Sequence, residues 1–188
     1  MIAAVVLAAG EATRFGATKQ LETYRGKPLV RHAVDAARDA GIQEVVVVVG
    51  HDGERVAAAV RDARIVVNAR YAEGQSTSLI AGLDALGPGA DAAVILLADQ
   101  PGVTSRVVRA LTDAAKTNPQ EIVRLAFAQG RGPTLLRRAV WDEVRALTGD
   151  AGARVLAERR PELVFEARVA GPAPVDVDTP EDLERLDG

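Results

Sequence analysis

The chain of 188 residues has no cysteine. That absence excludes a disulfide scaffold, a thiolate nucleophile and every thiolate metal site, and it suits a reducing compartment. Histidine is almost as scarce. His32 falls in a helical stretch and His51 follows Gly50, and two separated histidines without an acidic companion do not make a zinc site, so both read as structural. Aromatic residues make up only 3% of the chain, so its core has to be built from Ala, Val, Leu and Ile, with Trp141 as a packing residue of an amphipathic helix. The net charge of -3 argues against duplex nucleic acid as a partner. The longest apolar runs, 2–9 and 45–49, fall far short of the ~20 residues of a membrane span. No basic leader precedes the first of them, so a complete, cytoplasmic protein with no membrane partner is expected. Lysine is limited to Lys19, Lys27 and Lys116 beside abundant arginine, which makes the position of Lys19 more conspicuous.

With 48% hydrophobic and 26% charged residues, the chain has enough apolar material to bury a core. Short apolar runs alternate with amphipathic stretches. Buried strands are expected at 2–8 and 44–49, a short strand at 64–67, the most hydrophobic strand at 92–98, and further strands at 122–127 and 163–169. Helices are expected at 28–40, opened by Pro28 and closed by Gly41, and at 53–63, 77–86 with Ser76 as N-cap, 104–116, 140–147 and 153–159. Thr179 and Pro180 open a last helix as N-cap and first residue. This alternation means βαβ units. The expected fold is α/β, a single Rossmann-like domain over 1–188 with a mostly parallel sheet and helices on both faces. Ligands of such sheets sit outside the carboxyl ends of the strands, so the loops after Ala8, Val67 and Ala98 are where chemistry is expected.

The first of these loops runs Leu7-Ala8-Ala9-Gly10-Glu11-Ala12-Thr13-Arg14-Phe15-Gly16-Ala17-Thr18-Lys19. Its small residues let backbone N–H groups approach an anion, and Arg14 and Lys19 add two cations. It is not a Walker A loop, because Lys19 is not set in the Gly-Lys-Ser/Thr order, and it lacks the three spaced glycines of a dinucleotide fingerprint. Leu-Ala-Ala-Gly, three residues, Arg-Phe-Gly, two residues, Lys resembles the signature of the MobA-like nucleotidyltransferases, the relatives of molybdopterin guanylyl- and cytidylyltransferases. The resemblance implies a nucleotide-diphospho-sugar transferase-like fold. It implies that Leu7, Ala8, Ala9 and Gly10 lie along the nucleotide, that Arg14 holds the β- and γ-phosphates, and that Lys19 sits against the α-phosphate, making Arg14 and Lys19 the catalytic pair. Ala12 stands where many relatives have Ser or Gly, a small residue for a small residue.

Further motifs follow in family order. Gly74-Gln75-Ser76-Thr77-Ser78-Leu79 resembles a Gly-x-Ser-x-Ser-Leu element that implies a base and ribose site through Gly74, Gln75, Ser76 and Ser78, although Ser76 alone also reads as a plain N-cap. Leu96-Leu97-Ala98-Asp99-Gln100-Pro101 ends the most hydrophobic strand on a carboxylate. Mg²⁺ (or Mn²⁺) is usually held by one or two carboxylates plus substrate phosphates, and Asp99 is expected to be one of them. The second is expected from Val175-Asp176-Val177-Asp178, whose two aspartates share a face of an extended segment; Asp176 is favoured, and Asp178 is the alternative or belongs to the helix start. For the acceptor, Arg131-Gly132-Pro133 and Gly149-Asp150-Ala151-Gly152-Ala153-Arg154 resemble elements of molybdopterin-handling relatives, but the histidine that those relatives carry before the proline is missing. Gln100, Arg131, Asp150 and Arg154 are the acceptor-side candidates; Asp150 and Arg154 equally read as partners in a salt-bridged helix start.

The resemblance thus implies transfer of a nucleotidyl group to the phosphate of a molybdopterin-type acceptor, with release of pyrophosphate. CTP is the expected donor over other NTPs, since guanylyl relatives have Leu-Ala-Gly-Gly where this chain has Leu-Ala-Ala-Gly. A molybdoenzyme or its chaperone is the implied downstream partner. The alternatives are the same chemistry on a sugar or polyol phosphate, and a non-catalytic cofactor-delivery protein.

Overall fold

The computed structural model describes residues 1–11 and 17–187. In chain order its elements are β1 (Ile2–Ala8), β2 (Thr23–Tyr24), β3 (Lys27–Pro28), α1 (Leu29–Asp39), β4 (Val45–Val49), α2 (Gly53–Ala59), β5 (Arg64–Val67), α3 (Gln75–Asp84), β6 (Ala92–Leu97), α4 (Ser105–Thr117), β7 (Ile122–Ala126), β8 (Arg131–Arg137), α5 (Trp141–Arg145), α6 (Ala153–Arg159), β9 (Val164–Arg168) and α7 (Pro180–Asp187). Among the described residues seven strands form one sheet in the order β5-β4-β1-β6-β8-β7-β9, and β2 and β3 make a small antiparallel pair. Strand β1 runs parallel to β4 and β6, β4 to β5, and β7 to β9; only β8 runs against its neighbours.

Continuous apolar strands bury both faces, and the side chains sort by parity. Ala4, Val6 and Ala8 of β1 and Val45, Val47 and Val49 of β4 join a core with Val34 of α1, Val56 of α2 and Leu111 of α4. Ala3, Val5 and Leu7, with Val46 and Val48, face the other way onto Leu79 of α3, Trp141 of α5 and Leu156 of α6. Helices therefore cover both faces of a mostly parallel sheet, as the alternating pattern requires. Helix α3 lies close on that sheet because Gly82 lacks a side chain: a Cβ there would stand 2.3 Å from Val5 Cγ1. Trp141 is fully buried and donates from Nε1 to the Leu136 carbonyl at 3.3 Å. A His32 ring nitrogen lies 2.8 Å from the Tyr24 carbonyl, a structural contact. Among the described residues no helix is long and apolar enough to cross a membrane.

Four local expectations change. Strand β8 is not among the strands expected from the sequence, where Arg131-Gly132-Pro133 is read only for its likeness to an acceptor motif; Pro133 is accommodated because the β7–β8 ladder is irregular between Arg124 and Ala126, beyond the last β6 pairing at Thr134. Helix α3 starts at Gln75 with Gly74 as N-cap at φ +110°, so Ser76 is in the first turn and is not the cap. The first helix begins at Leu29, with Pro28 as its N-cap. Helix α2 ends at Ala59, short of the expected 63. Gly41, at φ +93°, does follow α1 in the left-handed conformation that ends helices.

Candidate functional site

The parallel strands β1 and β6 end side by side, with Leu7 opposite Leu97. The segments that leave them, together with the start of α3, enclose a cavity of about 450 Å³. Leu7, Ala9, Gly10, Lys19, Gly74, Gln75, Ser78 and Asp99 all line it. Ala8 does not, because alternation turns it into the opposite core. Arg14 lies outside the described residues.

Lys19 opens a 3-10 turn over Lys19–Leu21. Its Nζ donates to Asp99 Oδ2 at 2.8 Å and to Asp178 Oδ1 at 3.1 Å. Gln20, almost fully buried, fixes this turn by donating from Nε2 to the Gly10 carbonyl at 2.8 Å. The tail reaches Asp99 because Val177 is fully buried and its amide donates to the Asp99 carbonyl at 2.9 Å. Asp176 and Asp178 flank Val177. Asp176 Oδ1 accepts from Gln100 Nε2 at 2.6 Å. The start of α7 is locked by a reciprocal exchange, Thr179 N to Asp182 Oδ2 at 2.9 Å and Asp182 N to Thr179 Oγ1 at 3.3 Å, so Thr179 is the expected cap.

Burial raises the Asp99 carboxyl above the usual carboxylate range, and Lys19 only partly offsets it. At Lys19 the balance is reversed: burial pulls the ammonium down, but Asp99 and Asp178 together hold it above the ordinary lysine range. One carboxylate oxygen, Asp99 Oδ1, is buried with no hydrogen-bond partner among the described residues. An orphaned, hard, anionic oxygen beside a second carboxylate is a donor set that suits a divalent cation. Among the described residues no group of three or more His, Cys, Asp or Glu side chains is placed to hold a metal ion.

The start of α3 is built around close backbone contact. A Cβ on Gly74 would stand 2.2 Å from the Gly149 carbonyl carbon, and one on Gly152 would stand 1.9 Å from Gln75 Oε1. Gly74 is the glycine this approach requires, since its clash would be with backbone whereas the Gln75 side-chain end beside Gly152 can move; the Ser76 amide donates to the Gly149 carbonyl at 3.0 Å. Ser76 is buried away from the cavity wall. Ser78 Oγ accepts from Asn68 Nδ2 at 2.9 Å. The same loop carries Asp150 into the first cavity, whereas the sequence groups it with the acceptor residues.

A second cavity of about 380 Å³ adjoins the first, sharing Leu7, Gln75 and Leu97 as walls. Gln100, Arg131, Arg154 and Asp176 line it. Arg154 pairs with Glu158 at 2.9 Å, one helical turn on, and not with Asp150. The sequence reading misses Gln20 and Tyr71, which line the first cavity, and Arg124, which lines the second. An arginine inside the apolar run 122–127 is the signal that was available for the last of these.

The family model described as "MobA-like NTP transferase domain" matches residues 4–164. Nicotine blue oxidoreductase of Paenarthrobacter nicotinovorans is 34% identical over 198 residues, covering 98% of this chain and 96% of that protein. The crystal structure of Rv0371c from Mycobacterium tuberculosis H37Rv superposes with a TM-score of 0.88 at 34% identity, covering 98% of this chain and 96% of that one. A manganese complex of Rv0371c superposes with a TM-score of 0.85, covering 98% and 97%. CMP:2-keto-3-deoxy-manno-octonic acid synthetase in complex with CTP, at 20% identity and a TM-score of 0.79 over 98% and 96% of the two chains, shares the fold.

Proposed function

The chain belongs to the MobA-like NTP transferase family, a family of nucleotidyltransferases, and we propose that within it this protein transfers CMP from CTP to the phosphate of a molybdopterin-type acceptor and releases pyrophosphate. The observation that carries the reading is the Lys19–Asp99 pair in the wall of the first cavity, with Asp178 as the second carboxylate on Lys19. In the proposed reaction an acceptor phosphate oxygen forms a bond to the α-phosphorus of CTP, and the bond to the β-phosphate oxygen breaks. The nucleophile is already anionic, so positioning and charge stabilisation carry the step. The Lys19 ammonium faces the α-phosphate oxygens, Arg14 the departing pyrophosphate, and the amides of Ala9 and Gly10 lie along the nucleotide with Gly74, Gln75 and Ser78. Asp99 and Asp176 are the residues that would hold Mg²⁺ or Mn²⁺, supported by the orphaned Asp99 Oδ1 and by the manganese complex of a relative. When bound, the cation neutralises charge on the phosphates. A molybdoenzyme or its chaperone would receive the product.

The test is a pyrophosphate-release screen of the four NTPs against molybdopterin and a panel of sugar and polyol phosphates. Turnover with CTP and molybdopterin is expected; turnover only with another pair replaces donor or acceptor, and binding without turnover marks a delivery protein. One observation favours a second reading, a redox role: a relative named for oxidoreductase activity covers nearly the whole chain. Consumption of NADH or NADPH with nicotine blue and no nucleoside triphosphate would mark that case.

Ala9, in the wall of the first cavity, bears on donor choice. Ala9→Gly is expected to relax the preference for CTP over GTP, by no more than the ~1–3 kcal/mol that a methyl group confers. Relative kcat/KM for the two nucleotides checks it, and a parent enzyme that already prefers GTP removes the argument.

A further inference from the structure

The second cavity has an arginine in its wall that no motif accounts for. Arg124 lies in the middle of β7, opposite Thr134 of β8 and Glu166 of β9. Its side chain is only 7% exposed. Glu166 accepts a hydrogen bond from Nη2, but among the described residues the buried Nε and Nη1 have no partner. A guanidinium has five N–H donors and cannot shed its charge. Leaving such donors unmet in a buried setting is costly, so a buried arginine of this kind is normally satisfied on all sides. Arg124 itself is one of the residues that line the second cavity, whose other charged lining side chains, among the described residues, are Arg131, Arg154 and Asp176. Glu166 pairs with both Arg124 and Arg131, Glu158 pairs with Arg154, and the Asp176 carboxylate is engaged by Gln100, so what Arg124 leaves unmet is its Nε and Nη1 donors and not a net charge.

We propose that Arg124 is the anchor of an oxyanion subsite: its Nε–H and Nη1–H groups, with the Thr134 hydroxyl across the strand pair, bind a phosphate or carboxylate group of the acceptor. The proposal rests on the nucleotidyl-transfer reading for the word acceptor, but the subsite itself is defined by Arg124 alone. The subsite lies on the sheet face covered by α3, α5 and α6, and opens to the first cavity along Leu7, Gln75 and Leu97. An acceptor anchored there is held from a rigid strand, which fixes its reactive end relative to the α-phosphate. The chemistry recognised is the oxyanion; phosphate and carboxylate are its two sources.

The experiment is calorimetric titration of the full chain with inorganic phosphate and, separately, malonate, on the parent, Arg124→Lys, Arg124→Gln and Lys19→Ala. Arg124→Lys keeps a cation for Glu166 but removes the Nε–H and Nη1–H pair. Both Arg124 variants are expected to bind the preferred anion about 10- to 100-fold more weakly, the range lost with a charged hydrogen bond, while Lys19→Ala retains binding in the second cavity. Whichever of phosphate and malonate shows the Arg124-dependent loss names the source. Unchanged affinity for both anions in a folded Arg124→Lys protein overturns the subsite and leaves Arg124 as a strut between β7 and β9, a role that moves only the melting temperature. If neither variant folds, the guanidinium resonances of Arg124 in the parent decide: they shift on addition of phosphate or malonate if the anion sits against them, and stay fixed if it does not. Failure of the pyrophosphate-release screen leaves this result untouched, so the two readings fall separately.

Discussion

Asp99→Asn is expected to abolish turnover while leaving the fold intact. The substitution keeps the size of the side chain but removes the charge that a hard divalent cation requires. Burial already disfavours the ionised Asp99 carboxylate, so a neutral amide in its place should melt within a few degrees of the parent when no metal is present. Asp176→Asn is expected to behave alike, and Asp178→Asn more mildly, because Asp178 contacts Lys19 at a more exposed position. Turnover against Mg²⁺ or Mn²⁺ concentration for the three variants, with melts alongside, checks this. Full activity in Asp99→Asn, or equal activity in EDTA, removes the metal. A dead Asp178→Asn beside an active Asp176→Asn keeps the metal and moves its second ligand.

Lys19→Ala is expected to lower kcat by about 10²–10³ with a smaller effect on nucleotide KM, the loss typical of one preorganised charge donor. A near-parental kcat takes Lys19 out of the reaction. The same variant carries a pH signature. Asp99 has a folded-state pKa above its unfolded value because burial outweighs Lys19. A group shifted in that direction contributes stability at pH below its unfolded value, about 4, and that contribution is lost as pH rises through the folded value. Without Lys19 the carboxylate has no cation at 2.8 Å, the folded value climbs further, and the loss at neutral pH deepens. The melting temperature of Lys19→Ala should therefore fall below the parent at pH 7 and approach it on acidification. A deficit independent of pH would mean that Lys19 supports the fold by packing alone.

The strands that form the parallel half were legible because Ile2–Ala8, Val45–Val49 and Ala92–Leu97 are unbroken apolar runs bounded by turns. Strand β8 was not, since Gly132-Pro133 carries a loop signal and its place in the sheet depends on an irregular ladder and on Phe127, whose ring leaves no room for a Cβ at 132. In the candidate site, Lys19, Asp99 and the 176–178 tail were readable from motifs, Asp99 because it closes a strand and the tail because it leads into α7. The side assigned to Asp150 was not, because it depends on contact between Gly74 and Gly149, 75 residues apart in sequence, and nothing local encodes such an approach. Arg124 did leave a signal, one charged residue in an apolar run, but its burial shows only once β8 and β9 are paired on either side of it.

The reversed strand β8 divides the sheet into two territories. On one side stand β5, β4, β1 and β6, whose ends carry Lys19, Gly74 and Asp99; on the other stand β7 and β9, which with β8 supply Arg124, Arg131 and Thr134. Because the seam between Ala92–Ile95 and Thr134–Arg137 is a ladder of backbone bonds, it makes few demands on side-chain identity. The two territories are not independent, because the 149–152 loop, which lies in sequence between β8 and β9, reaches back to Gly74 and sets Asp150 in the first cavity, so a change in the length of that loop would be felt in both chambers.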